Sequence, residues 1–361
     1  MLPTEGLRMS QSLQSLMNSG TKLWLDSVDP DLVLKNRKLG ATGATSNPVI
    51  IESLIRTGKF DSTLATLLKS GLNDEEATWA LTDRIVSQAE EVFSSVFNDS
   101  KGNDGYVSFE LDPLLEDSQG LGTSLPLAER VKRYTELGKK WSAGHPNRMI
   151  KVPATEAGIA ALEHLASAGV PLNVTLIFTA SQYRKARESV WRGAQKLKDK
   201  TKFKSVYSIF VSRLDVYTEK HAYSLSKEAQ GLVGIVNAKL IWRENESYWQ
   251  AHKLPLKQEM VFASTGVKDP AIKAWKYVEA LAGSDIQTNP PATNDAAAAS
   301  GATFSAQLSH MPSAEIISEI DKKVDMQKLE DFLMADGVAK FVAPQKALLA
   351  LVKEKRSSLK S

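Results

Sequence analysis

Cysteine is absent from all 361 residues of the sequence. Its absence excludes disulfide bonds, thiolate nucleophiles and cysteine-ligated metal ions within the chain. Proteins of reducing compartments typically lack disulfides, so we expect a cytoplasmic protein.

Long apolar runs are also absent. No stretch approaches the roughly 20 residues that a membrane-spanning helix needs, and the first 20 residues lack the apolar segment of a secretory signal. The net charge is only +3, and the basic segment 196–204 has no aromatic residues arranged as a stacking platform. We therefore expect neither a membrane nor a nucleic acid as a partner.

The sequence does contain eight short apolar runs, separated by stretches of good helix formers. Several are rich in β-branched residues and apolar on both faces, as parallel strands covered by helices tend to be. The predicted strands are residues 22–26, 43–46, 106–111, 149–154, 172–178, 206–212, 260–264 and 285–289.

This alternation of strand and helix predicts a parallel α/β fold, and eight units favour a (β/α)₈ TIM barrel with additional N- and C-terminal helices. We expect one domain over residues 1–361, with a flexible loop near 290–304 and C-terminal helices in 312–361. A doubly wound open sheet is the main alternative fold. A nucleotide-binding enzyme of that kind is disfavoured because no G-x-G-x-x-G motif follows a predicted strand.

Polar side chains interrupt or end these apolar runs, where a barrel carries its chemistry. Taken singly, each has an ordinary structural explanation, such as a helix cap, a turn or a surface ion pair. The candidates are Asp26, Asn47, Glu110, Lys151, Asn173, Thr175, Ser208, Arg213, Ser264 and Lys268.

Lys151 is the least ordinary of these residues because it lies inside the apolar run "MIKVPA". Burying an ammonium group is costly without a partner or a function. A neutral lysine amine is a nucleophile that forms Schiff bases with carbonyl compounds. An ion pair with Glu110 or Asp26 is the structural alternative, and the sequence pattern leaves both interpretations open.

Four segments together closely resemble the transaldolase family. They are "GATSNPVI" (43–50), "MIKVPATEAGIAALEHLASAGVPLNVTLIFTASQY" (149–183), "SIFVSRLD" (208–215) and "ASTGVKDP" (263–270). The resemblance covers roughly residues 18–295 in the expected order. It implies an enzyme of the pentose phosphate pathway that moves a dihydroxyacetone unit from sedoheptulose 7-phosphate to glyceraldehyde 3-phosphate. Such an enzyme needs no metal or organic cofactor, because the lysine iminium is the electron sink.

The resemblance also assigns a role to each candidate residue. Lys151 matches the Schiff-base lysine, and Asp26 matches the aspartate that exchanges the proton of the C4 hydroxyl. Glu110 and Thr175 would position a catalytic water. The substrate-binding set comprises Asn47, Asn173 and Ser208 for the hydroxyls, Arg213, Ser264 and Lys268 for the phosphate, and also Phe210.

One departure from the family pattern and two alternative functions accompany this resemblance. Many family members carry a second arginine two positions after the serine that matches Ser264, whereas Gly266 stands there in this chain. A fructose 6-phosphate aldolase-like enzyme would tend to carry Gln in place of Glu110 and Tyr in place of Phe210. A non-catalytic barrel would lack at least one catalytic residue, and none is lacking. A homodimer is a further possible partner arrangement for this chain.

Overall fold

The computed structural model describes residues 9–117, 125–221 and 224–359. Eight parallel strands form a closed barrel in chain order, because the first strand pairs with the eighth. The predicted (β/α)₈ barrel is therefore confirmed over the open sheet. The strands are β1 Lys22–Leu25, β2 Gly43–Thr45, β3 Val107–Glu110, β4 Arg148–Pro153, β5 Leu172–Ile177, β6 Ser205–Phe210, β7 Glu259–Ala263 and β8 Ile286–Asn289.

Helices surround the barrel and extend it at both ends, as predicted. The first twelve are α1 Gln11–Asn18, α2 Pro30–Lys38, α3 Pro48–Arg56, α4 Asp61–Lys69, α5 Asp74–Asp99, α6 Leu127–Ser142, α7 Glu156–Ser167, α8 Ala180–Gln195, α9 Ser212–Lys220, α10 Val233–His252, α11 Lys276–Ala280 and α12 Pro291–Ala299. The C-terminal pair is α13 Ala314–Lys323 and α14 Met326–Leu359. Residues 360–361 of the predicted C-terminal helical region lie outside the described residues. Within the described ranges, no helix is long and apolar enough to cross a membrane.

The prediction of a flexible loop near 290–304 is wrong for most of these residues. Residues Pro291–Ala299 form α12, and only the following residues are irregular. Proline is well suited to the first turn of a helix, because its missing N–H has no intrahelical partner there. Four consecutive alanines then supply the strongest intrinsic helix propensity. Proline and small residues were therefore a start signal in this segment and not a sign of flexibility.

The turn between β4 and α7 fixes the strand that carries the candidate lysine. The Thr155 hydroxyl caps α7 by accepting a hydrogen bond from the Gly158 N–H at 3.1 Å. A Cβ at Gly158 would lie only 1.9 Å from the Pro153 carbonyl oxygen, so a larger residue would push the helix away. This glycine lets α7 begin directly against the end of β4.

Charged side chains are buried at the amino end of the barrel, and they are paired there. Lys204 is fully enclosed beside β6 and binds Glu259 at 2.5 Å. Lys22 binds the other oxygen of the same carboxylate at 2.9 Å. Arg148, also fully enclosed, binds Glu90 from α5. Buried charges of this kind require such partners, and they lie away from the carboxyl ends of the strands.

Candidate active site

Lys151 lies at the centre of a cluster of polar residues inside the barrel. It is only 5% exposed, and the strand register places it beside Glu110 on one side and Asn173 on the other. Its Nζ donates to Glu110 Oε2 at 3.1 Å and to the Ser46 carbonyl oxygen at 3.0 Å. The ion pair considered from the sequence is therefore present. The same contact places a proton acceptor next to the amine, so it is also what a nucleophilic lysine needs.

Two carboxyl groups share the surroundings of this lysine. Burial raises the pKa of Glu110, although the Lys151 ammonium opposes the rise. Burial also raises the pKa of Asp26, and Lys151 and the Thr45 hydroxyl oppose that rise. Thr45 Oγ1 donates to Asp26 Oδ1 at 3.0 Å. Both carboxyls therefore hold a proton more readily than exposed acids, which suits groups that accept and return protons near neutral pH.

A chain of hydrogen bonds crosses the barrel next to the lysine. The Ser208 hydroxyl donates to Asn173 Oδ1 at 2.7 Å, and Asn173 Nδ2 donates to the Ser108 hydroxyl at 2.8 Å. The structure thus brings two predicted residues together and adds Ser108, which the sequence analysis missed. Its spacing was a usable signal, since residues two apart in a strand face the same side and Ser108 precedes Glu110 by two.

Thr175 is fully buried in the same strand as Asn173. Its Oγ1 makes no hydrogen bond within the described residues. A buried hydroxyl without a partner is uncommon and is costly when it serves only packing. The group is thus available to a water or a substrate atom inside the barrel.

We expect Thr175→Val to lower kcat by about 100-fold, the usual scale for one acid–base positioning group. Valine has nearly the same shape, and the hydroxyl holds no hydrogen bond in the fold, so thermal stability should not fall. Steady-state kinetics and a thermal melt measure the two effects. A variant with full activity would contradict the predicted catalytic role of Thr175.

Asn47 lies at the start of α3 and has a structural role as well. Its Oδ1 accepts a hydrogen bond from the Ile50 N–H at 3.0 Å, which makes it the N-cap of that helix. The cap uses the carbonyl oxygen of the side chain and leaves the amide nitrogen as a donor. Capping and binding a hydroxyl group are thus compatible in this residue.

The residues predicted to bind phosphate lie between β6, β7 and α9. Arg213 is in the first turn of α9 and stacks over the Phe210 ring at 4.9 Å. The hydroxyls of Ser212 and Ser264 are 3.0 Å apart, and Ser264 has a left-handed backbone with φ of 55°. Strain of this kind is often found at binding sites. By contrast, Lys268 is exposed and makes no hydrogen bond or ion pair within the described ranges.

The C-terminal helix supplies residues that the sequence analysis also missed. The Phe341 ring of α14 lies 5.8 Å from Lys151 Nζ, and Asp336 of the same helix lies 3.9 Å from Arg213 Nη1. No sequence signal links these residues to the site, because they follow Lys151 by more than 180 positions. Only the folded chain brings α14 over the carboxyl end of the barrel.

The family of the chain follows from comparison with known proteins. A family model described as Transaldolase/Fructose-6-phosphate aldolase matches residues 23–352. The chain belongs to this family. The match continues past residue 295 and includes most of α14, so the resemblance seen in the sequence is confirmed and extended.

Several relatives in this family are similar over most of the chain. Transaldolase 1 of Streptomyces coelicolor is 33% identical over 375 residues, covering 97% of this chain and 96% of the relative. Transaldolase 2 of Streptomyces avermitilis is 34% identical over 316 residues, covering 81% and 82%. Transaldolase 2 of Nostoc sp. is 30% identical over 378 residues, covering 93% and 95%.

Proposed function

We propose that this protein is a transaldolase of the pentose phosphate pathway. It transfers a dihydroxyacetone unit from sedoheptulose 7-phosphate to glyceraldehyde 3-phosphate, giving erythrose 4-phosphate and fructose 6-phosphate. The observation that carries the proposal is the buried Lys151 amine, held between a strand carboxylate and a strand amide inside a closed barrel. Relatives that carry the name transaldolase support it over nearly the full chain.

The reaction begins with the amine of Lys151. Passing its proton to Glu110 Oε2, 3.1 Å away, leaves the nitrogen free to attack the C2 carbonyl of the ketose. Burial raises the pKa of Glu110, so its carboxylate accepts a proton more readily than an exposed glutamate does. The carbinolamine loses water to become an iminium, and a water positioned by Glu110 and Thr175 carries the protons for this step.

Asp26 then controls the cleavage of the carbon–carbon bond. It accepts the proton of the C4 hydroxyl, the C3–C4 bond breaks, and its electron pair moves to the iminium nitrogen. The aldehyde leaves and an enamine stays on Lys151. The enamine adds to the acceptor aldehyde while Asp26 returns the proton, and hydrolysis frees the new ketose. The hydrogen bond from Thr45 holds the Asp26 carboxyl in place for both transfers.

The remaining residues hold the sugar. Asn47, Asn173 and Ser208 present donors and acceptors for the hydroxyls of the dihydroxyacetone part, and Arg213 with Ser264 binds the phosphate. Phe210 stacks against the arginine and limits its position. Phosphate contacts lie away from the bond that breaks, so their binding energy serves orientation.

Borohydride trapping tests this function directly. The protein is incubated with fructose 6-phosphate, reduced, digested and mapped by mass spectrometry. We expect a dihydroxyacetone-derived adduct on Lys151. Lys204, the fully enclosed lysine near the amino end of the barrel, is an internal control and should stay unmodified. No adduct, or an adduct at another lysine, would contradict the mechanism.

Product analysis separates the transferase from the aldolase of the same family. With fructose 6-phosphate alone, little free dihydroxyacetone should accumulate, because the enamine waits for an acceptor aldehyde. Rapid release without an acceptor would assign the protein to the aldolase branch. A cytoplasmic location and a homodimer remain predictions.

A further inference from the structure

The C-terminal helix α14 reaches both ends of the proposed substrate. Phe341 lies over the reactive amine, and Asp336, five residues earlier, faces the guanidinium of Arg213. One helical segment of about a turn and a half therefore contacts the Schiff-base position and the phosphate position together.

The Asp336 carboxylate lies between two cations. Its Oδ2 is 3.9 Å from Arg213 Nη1 and 2.6 Å from Lys340 Nζ, one turn later on α14. At 3.9 Å the aspartate does not hydrogen-bond the guanidinium. Arg213 Nη1 is buried and has no hydrogen-bond acceptor within the described residues. Asp336 thus compensates some of the charge at this point without satisfying the arginine donor.

A phosphate group would satisfy this arrangement better than the carboxylate does. It carries nearly two negative charges and three acceptor oxygens, and cationic side chains are its usual ligands. Gly266, which follows Ser264 by two positions, has no side chain to offer a phosphate. Lys340 is the cation that already shares an anion with Arg213.

The sequence of α14 lets the helix come this close. A Cβ at Gly337 would lie 3.1 Å from Leu176 Cδ2 and 3.4 Å from Phe178 Cζ, so a larger residue would press α14 against β5 and the loop after it. Glycine in a helix interior is normally destabilising relative to alanine. The close packing accounts for a residue that weakens the helix.

Pro344 weakens the same part of α14. It lies inside the helix, four residues after Lys340. Proline offers no N–H to the carbonyl four residues earlier, and its ring crowds that carbonyl. The backbone at Lys340 therefore lacks one helical hydrogen bond, which lowers the resistance to a small shift of this turn.

We propose that Lys340 is the second cation of the phosphate site and that Asp336 holds it until substrate arrives. The substrate phosphate binds Arg213 and takes Lys340 from Asp336, replacing a carboxylate by a stronger anion. This inference rests on the proposed function and assigns to it a specificity-determining residue outside the barrel strands. In this arrangement Lys340 strengthens phosphate binding, and Asp336 weakens it by competing for the same cations.

Two isosteric or near-isosteric variants test this. Lys340→Met should raise KM for fructose 6-phosphate by about tenfold and lower kcat less than twofold, because a charge-assisted contact to the phosphate is lost. Asp336→Asn should lower KM by about threefold, since a competing anion is removed. The competitive inhibition constant of inorganic phosphate should likewise rise in Lys340→Met and fall in Asp336→Asn.

Matched lysine variants make the result specific. Lys353→Met changes another exposed lysine of α14 and should leave KM unchanged. Lys268→Met should change KM less than Lys340→Met does. An unchanged KM in Lys340→Met, a raised KM in Asp336→Asn, or a larger effect of Lys268→Met would each overturn the inference. Failure of the proposed function itself is distinguishable, because it would abolish the Lys151 adduct in the unmodified protein.

Discussion

Lys151→Met is expected to lower kcat by at least about 10⁴-fold, the scale seen when a covalent nucleophile is removed. Without the amine there is no iminium, so the C3–C4 bond has no electron sink when it breaks. The remaining groups can still bind and orient the sugar, which accounts for any residual rate. The measurement is the transfer rate from fructose 6-phosphate to erythrose 4-phosphate at saturating concentrations.

The same variant should stay folded. Methionine is unbranched and fills a similar volume, so the barrel interior keeps its packing. Loss of the ammonium removes the charge that opposes the high pKa of Glu110 and of Asp26. Both carboxyls should then take up protons more readily and avoid a buried negative charge. Lys185→Met, at an exposed position on α8, is the matched control for activity and for circular dichroism. A Lys151→Met protein that kept more than about one hundredth of the activity would contradict the mechanism.

Arg148→Met is expected to lower the free energy of unfolding by about 3–5 kcal/mol, the usual loss when one partner of a buried ion pair is removed. The Arg148 guanidinium is fully enclosed and binds Glu90, while Nη1 lies 2.7 Å from Asp83 Oδ1 and 3.0 Å from the Trp141 carbonyl oxygen. Its removal leaves a buried carboxylate with less compensating charge and a carbonyl without that donor.

Urea unfolding of the wild-type and variant proteins measures this loss. Arg192→Met removes an exposed pair with Glu163 and should cost less than about 1 kcal/mol. Arg148 is the first residue of β4 and lies at the end of the barrel opposite the proposed chemistry. The kcat of the folded variant should therefore stay near the wild-type value. A loss below about 1 kcal/mol would show that Glu90 and Asp83 find other partners.

The barrel strands were predictable because each one is a short apolar run with a strong local pattern. Parallel strands buried on both faces hardly depend on tertiary detail for their composition. The α12 helix was missed because proline and small residues are found both in loops and in the first turns of helices. Only the position of Pro291 in the first turn distinguishes the two cases. Barrel closure itself came from long-range pairing that no window of sequence shows.

The residues of the proposed site also differ in how well the sequence predicts them. Lys151, Glu110, Asn173 and Thr175 lie on strands, so alternation and strand ends identified them. Ser108 was missed although its two-residue spacing from Glu110 places both side chains on the same face of β3. The contribution of α14 was hidden for a different reason: helical periodicity says which face is apolar but not which distant strand end the helix will cover.

The pairing of β1 with β8 has a consequence for how the protein is made. Residues 22–25 find their second neighbour only at 286–289, after strands β2 to β7 have been made. Until then the growing sheet has two open edges, and such edges pair readily with other chains. Closing so long a loop is also entropically unfavourable and slow. The barrel therefore cannot close, and both edges stay open, until residues 286–289 have been made.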